Sequence, residues 1–150
     1  REKHFNSIKN AYKKTKHYPY YIRFFEKNIF KNRDCLNDLN QNLVKSIAFD
    51  LGLNKKFLAS SELKCSGLKS EKLFNICRKL GATQYLSAAG SHSYIEEEGI
   101  FKKNDLKVIY QDYTVHEYRQ EGATSFVPYL SIVDFLFNCG TEDLSRHLAM

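Results

Sequence analysis

A chain of 150 residues that is 43% apolar, with eleven Phe and ten Tyr but no Trp, has the material for one domain with a real core. No run approaches the roughly 20 apolar residues of a membrane helix, and no signal peptide is visible, which excludes a helical membrane span. The net charge of +6 is uneven: residues 1–33 hold ten Lys and Arg against Glu2 and Glu26, while the remainder is slightly acidic, so the chain is not a uniformly basic protein.

In chain order, Phe5, Ile8, Ala11 and Tyr12 share one face at helical spacing and predict a helix over 4–16. Tyr18-Pro19 opens the next, with Tyr21, Ile22, Phe25 and Ile29 on its stripe and Phe24 and Phe30 widening it. Leu36, Leu39, Leu43, Ile47 and Leu51 mark a third helix that Gly52 stops. The pattern then changes. Residues 56–60 read as a short strand, and Ser70 as the cap of a helix carrying Leu73, Ile76, Cys77 and Leu80, which Gly81 ends. Residues 83–88 are the next strand, 94–103 a short helix, and 106–113 the clearest strand. Ser131 begins a last long helix with Ile132, Phe135, Leu136 and Cys139 on one face and Gly140 as its stop; Thr141 caps a further short helix. Strands alternating with helices imply βαβ units, with the 70–80 helix as a crossover. The expected class is therefore α/β: a helical N-terminal third packed on a small, mainly parallel βαβ sheet. The expected organisation is a single domain, helical over 1–54 and α/β over 55–150. The chain opens without an initiator Met in a charged, helix-like stretch, and the expectation is of a fragment.

In open parallel sheets ligands bind beyond the carboxyl ends of the strands. Those ends read Ser60-Ser61-Glu62, Ser87-Ala-Ala-Gly90-Ser91-His92, and Gln111-Asp112-Tyr113. Hydroxyls and amides there suit a sugar or a phosphate, and Gly90 lets backbone approach a ligand. With Tyr85-Leu86 held in the core, the residues after them are expected on one wall of a polar pocket. His92 has the chemistry of a general base, with Glu62 as its carboxylate counterpart. Ser60, Ser61, Ser87, Gly90, Ser91, Gln111 and Tyr113 are the expected substrate-binding set, joined by Lys3 and His4 as phosphate or carboxylate partners. The plain alternative is a strand-to-helix turn capped by Ser91 or Ser93 and a solvated His92. No GxGxxG, Walker-type GxxxxGK[ST] or GxSxG occurs. Ser131-x-x-Asp134 fits a capping box. Glu96-Glu97-Glu98 reads as a solvated face, because adjacent helical residues point apart. Cys35, Cys65, Cys77 and Cys139 form no CxxC and lie at no zinc spacing, so buried free thiols, a reducing cytoplasmic setting, no metal and no cofactor are expected.

The ordered set KHFNSIKNAYKKTKHYPYY, SSEL, LFNICRKLGATQYLSAAGSHSYI, KVIYQDY, YRQ and FVPYLSIVDFLFNCG resembles the WbqC-like family over nearly the whole chain. Family members are associated with bacterial surface-polysaccharide (O-antigen) gene clusters. The resemblance implies group transfer on a sugar or sugar-nucleotide, hence a transferase. Members typically begin with a segment holding a Gln-Pro-x-Tyr-like stretch, not found here, so the resemblance implies the family's C-terminal portion. The family tends toward Ser-Gly after the Tyr-Leu pair, where this chain has Ser87-Ala88-Ala89-Gly90. The expected partner is a small-molecule sugar or sugar-nucleotide, with neither nucleic acid nor membrane, and a homo-oligomer is compatible with the sequence. Two rivals stand beside the enzyme: a binding module for an anionic ligand or polymer through the basic helices, and a non-catalytic packing domain.

Overall fold

The computed structural model describes residues 1–31 and 35–141. It contains eight α-helices and two strands among them, and the chain divides into two compact units, residues 1–55 with 115–150, and residues 56–114.

The first unit is built from α1 (Glu2–Tyr12), α2 (Tyr18–Phe30), α3 (Leu36–Asp50) and α8 (Ile132–Cys139). Each N-terminal helix presents an apolar stripe, and Phe5, Tyr21, Phe25, Ile29, Leu136 and Phe137 bury together. Phe137 is wholly enclosed. Tyr12 stacks on it at 4.6 Å between ring centroids, Phe25 at 5.7 Å, and Tyr21 meets it edge-on at 5.9 Å. The last helix therefore belongs with the N-terminal helices, whereas the sequence grouped it with the strands. The first helix ends at Tyr12, short of the predicted 16, because Thr15 turns back to bond Tyr12 O through both its amide (2.9 Å) and its hydroxyl (2.8 Å).

Asp134 is buried at the first turn of α8, and its Oδ2 accepts from Tyr118 Oη (2.8 Å) and Gln120 Nε2 (3.3 Å). The Tyr12 phenol lies against the same carboxylate. Gln120 also exchanges bonds with the Val127 backbone, at 2.9 and 2.8 Å, and Asn138 Oδ1 accepts from Glu121 N (2.9 Å). The irregular 115–130 segment is thus fastened to α8 by side-chain amides and phenols. Only half of the expected capping box forms: Ser131 Oγ accepts from Val133 N at 3.3 Å, while Asp134 turns to the tyrosines.

The second unit holds α4 (Ser60–Leu63), α5 (Lys69–Lys79), β1 (Gln84–Ala88), α6 (His92–Glu98), α7 (Ile100–Lys103) and β2 (Lys107–Gln111). β1 and β2 pair in parallel, Gln84 opposite Lys107 through Ala88 opposite Gln111. Two expectations need correction. Residues 56–60 form no strand: the chain there is unpaired, Phe57 and Leu58 stay exposed, and Ser60-Ser61-Glu62 make the first turn of α4. The 70–80 helix consequently precedes the sheet, and the crossover is made by α6 and α7, broken at Gly99 (φ +61°). The core of the unit is Phe74, Cys77, Ile95 and Phe101, with Tyr85 stacked on Phe101 at 5.2 Å. Alternation then turns Leu86 the other way, so it is 66% exposed and not in the core beside Tyr85. Its cross-strand partner Ile109, 37% exposed, shares that open face.

Ser70 is not the side-chain cap of α5. Its amide instead donates to Glu98 Oε2 at 3.2 Å, and its own buried hydroxyl has no hydrogen-bond partner. A carboxylate from the end of α6 thereby occupies the amino end of α5, where negative charge is favoured. Cys77 and Cys139 are buried, as expected, but Cys35 is exposed and Cys65 half-exposed. The short helix expected from Thr141 falls on residues outside those described.

Two outcomes test the Asp134 knot. Asp134→Ala removes the acceptor from several buried donors and is expected to cost about 3 kcal/mol in chemical denaturation. Burial, then the Asp134 charge, pushes Tyr12 up to about 12; burial likewise takes Tyr118 up to about 12, with the Gln120 bond opposing it and Asp134 adding to it. A folded-state pKa above the unfolded value of 10.0 gives stability that is complete below pH 10 and is lost as pH climbs through about 12. Alkaline titration followed by circular dichroism should show helix loss in that window together with phenolate absorbance.

Candidate functional site

Parallel pairing brings the carboxyl ends of β1 and β2 side by side, so Ala88 and Gln111 are register partners at one rim. Beyond β1 the chain makes a tight 3-10 turn, Ala89–Ser91, and enters α6 at His92. Ser87 is 5% exposed, and its Oγ lies 2.6 Å from Ser91 Oγ. Ser91 Oγ donates to Ala88 O at 2.6 Å. A hydroxyl has one proton, so Ser91's goes to the carbonyl and Ser87's goes to Ser91. The two serines thus form a closed relay that locks the strand-to-helix turn. Ser91 precedes α6, as the capping alternative has it, but its hydroxyl bonds no amide of that helix.

His92 is exposed, and its ring rests on Tyr110 of β2, 4.5 Å between centroids at 49°. Tyr110 Oη donates to Glu96 Oε1 at 2.7 Å, one turn along α6 from His92. Partial burial and then this carboxylate push the phenol up to about 12, so it stays a neutral donor. Sequence reasoning missed Tyr110 and Glu96. The signal for them was spacing: His92 and Glu96 are four apart, one above the other on a helix face. Glu96 therefore holds a phenol and is not simply part of a solvated acidic run.

Gly90 has ordinary backbone angles for any residue, and a Cβ built there meets nothing within 4 Å. The turn does not require glycine, so Gly90 leaves open space above the rim. Ala88, Ala89, Gly90, His92 and Gln111 are exposed at this rim and make an open ledge, and Tyr113, two residues beyond β2, is exposed as well. A cavity of about 510 Å³ opens elsewhere in the unit, at the amino end of β2, bordered by Glu96, Lys102, Asp105 and Lys107.

The other expected site residues lie on elements other than those that carry the serine relay. Ser60, Ser61 and Glu62 are exposed on α4, which Lys79 Nζ ties to α5 by donating to Leu63 O at 2.6 Å. Among the described residues no hydrogen bond joins those three to the rim. Lys3 and His4 are exposed on α1, in the first unit. Among the described residues no group of three or more His, Cys, Asp or Glu is placed to hold a metal, and no helix is long and apolar enough to cross a membrane.

The relay and the ledge separate two substitutions. Ser87→Ala removes a buried hydrogen bond and is expected to lower unfolding free energy by about 1 kcal/mol. Gly90→Ala should stay within about 0.5 kcal/mol of wild type in the same urea titration. A large loss for Gly90→Ala would show that the turn, and not open space, selects the glycine.

A sequence model of the WbqC-like protein family matches residues 1–146, so the match does not single out a C-terminal portion. The chain is also 32% identical to the uncharacterized protein Rv1507c of Mycobacterium tuberculosis over 107 residues, 71% of this chain and 46% of that protein. It thus spans about half the length of the curated relative it matches. No solved structure matches it. With nearly every residue inside the family match, the chain belongs to the WbqC-like protein family.

Proposed function

We propose that this chain contributes to group transfer onto a sugar or sugar-nucleotide in bacterial surface-polysaccharide biosynthesis, with His92 as the proton-transfer residue. The observation that carries the reading is His92 itself: an exposed imidazole at the carboxyl rim of two parallel strands, its ring against Tyr110. Ligands of parallel sheets bind on that side. In the proposed step a substrate hydroxyl oxygen forms the new bond to the transferred group, the leaving group departs with its electron pair, and the hydroxyl proton passes to the imidazole. Ser91, Gln111 and Tyr113 orient the sugar from the rim. Glu62 remains a proposal as a catalytic carboxylate, Ser60, Ser61, Lys3 and His4 remain substrate-binding proposals, and the whole protein's activity is proposed on the same footing.

A second reading rests on the exposed lysines of the first unit. Lys3, Lys9, Lys13 and Lys14 all face solvent and suit an anionic ligand or polymer without catalysis. Salt separates the two, because polymer binding weakens steeply with ionic strength.

The test is a thermal-shift screen of the full-length protein against nucleotide-sugars, acyl donors and amino-acid donors, followed by turnover with the best pair. His92→Ala should leave the melting temperature within a degree or two, as an exposed residue permits, and lower turnover by about 100-fold, the scale of general acid–base catalysis. Full turnover in His92→Ala, Glu62→Gln and Gln111→Ala alike would overturn the assignment.

A further inference from the structure

The first unit carries a cleft of about 190 Å³ lined by His17, Tyr20, Tyr21, Asp50, Gly140 and Thr141. Asp50 is the last residue of α3, half-buried. Its Oδ1 accepts from Tyr20 Oη at 2.5 Å and its Oδ2 from Tyr21 Oη at 2.9 Å. Each phenol has one proton, and both are engaged on the carboxylate. What the three groups have left to offer is lone pairs. The bond to Asp50 raises the Tyr20 phenol, and burial followed by the same bond raises Tyr21, so neither becomes an anion at neutral pH. Among the described residues no Lys or Arg forms an ion pair with Asp50. The three groups therefore present acceptors around one negative charge, beside the His17 ring that also lines the cleft.

Its geometry is fixed. The His17 ring lies against Gly140 so closely that a Cβ there would sit 2.8 Å from it, and His17 N donates to Phe137 O at 3.2 Å. Tyr21 is anchored in the core. A tie between α2 and α3 would need only that buried phenol. Tyr20 is 57% exposed, adds little to the core, and still directs its proton to Asp50. The carboxylate and two phenol oxygens that line the cleft can each accept a charge-assisted hydrogen bond from a cationic donor.

We propose that this cleft binds a small ligand through a primary ammonium group, with Asp50 as its counter-charge and the oxygens of Tyr20 and Tyr21 as further acceptors. The site is independent of the His92 rim, and either assignment can fail alone.

The test uses two probes that differ only at one end: ethanolamine, and ethylene glycol, which replaces the ammonium by a hydroxyl. Titration of the full chain, followed by the NMR signals of the His17 and Tyr20 rings at constant ionic strength, should show saturable shifts with ethanolamine at least tenfold tighter than any with ethylene glycol. Asp50→Asn should weaken ethanolamine binding at least tenfold. Equal responses to the two probes, no response to either, or undiminished binding by Asp50→Asn would each overturn the proposal. Should Asp50→Asn fail to fold, the comparison of probes on the wild-type chain decides it.

Discussion

The constraint on which the second unit depends is the parallel pairing of β1 and β2. Antiparallel strands can be joined by two residues, but parallel ones require the chain to travel back the length of the strand before pairing again. Residues 89–106 make that journey, and nearly every feature of the rim follows from it. The 3-10 turn reverses the chain at the end of β1, the Ser87–Ser91 relay holds the reversal, and α6 starts beside the end of β2. His92 meets Tyr110 because the first residue of the crossover helix and the fourth residue of the second strand are brought to the same rim. Glu98, at the far end of α6, reaches the start of α5. One helix thus positions an imidazole, a phenol-binding carboxylate and a helix-terminating carboxylate in succession.

The first unit works by a different principle. Its helices have ordinary amphipathic stripes, but their meeting point is a single aromatic side chain, Phe137, enclosed by Tyr12, Tyr18, Tyr21 and Phe25. Tyrosine in such a core needs somewhere to place its hydroxyl. Two buried or half-buried carboxylates supply the acceptors, Asp134 for Tyr12 and Tyr118, and Asp50 for Tyr21. The tyrosine-rich composition and the scattered acidic residues are two sides of one packing solution.

Much of this was legible in the sequence, and what was not has identifiable causes. Helical periodicity located α1, α2, α3, α5 and α8, because each buries one stripe and the 3.6-residue period survives. The strands 84–88 and 107–111 were legible from β-branched and aromatic runs ending in polar residues. The run at 56–60 has the same local character, yet a strand exists only if a partner accepts its hydrogen bonds, and pairing is not written locally. Leu86 was misplaced because an apolar residue in a strand does not say which face is covered. The return of α8 to the N-terminal helices, and the meeting of Asp50 with Tyr20 and Tyr21 across thirty residues, are tertiary facts that periodicity cannot carry. At the rim, the sequence offered serine hydroxyls to bind a ligand and Gly90 to let it approach; in the structure Ser87 is engaged with Ser91 and Gly90 is open.

The first unit is assembled from both ends of the described chain, with the second unit between them. Tyr12 and Phe137 are neighbours in space but lie 125 positions apart in the sequence, a difference read from their numbers. Closing so long a loop carries an entropic cost that grows only slowly with its length. During synthesis the continuous 56–114 segment has all its partners as soon as it leaves the ribosome, whereas the N-terminal helices must wait for α8 with their aromatic faces unsealed. Within these residues the 56–114 unit can therefore mature before the helices that precede it.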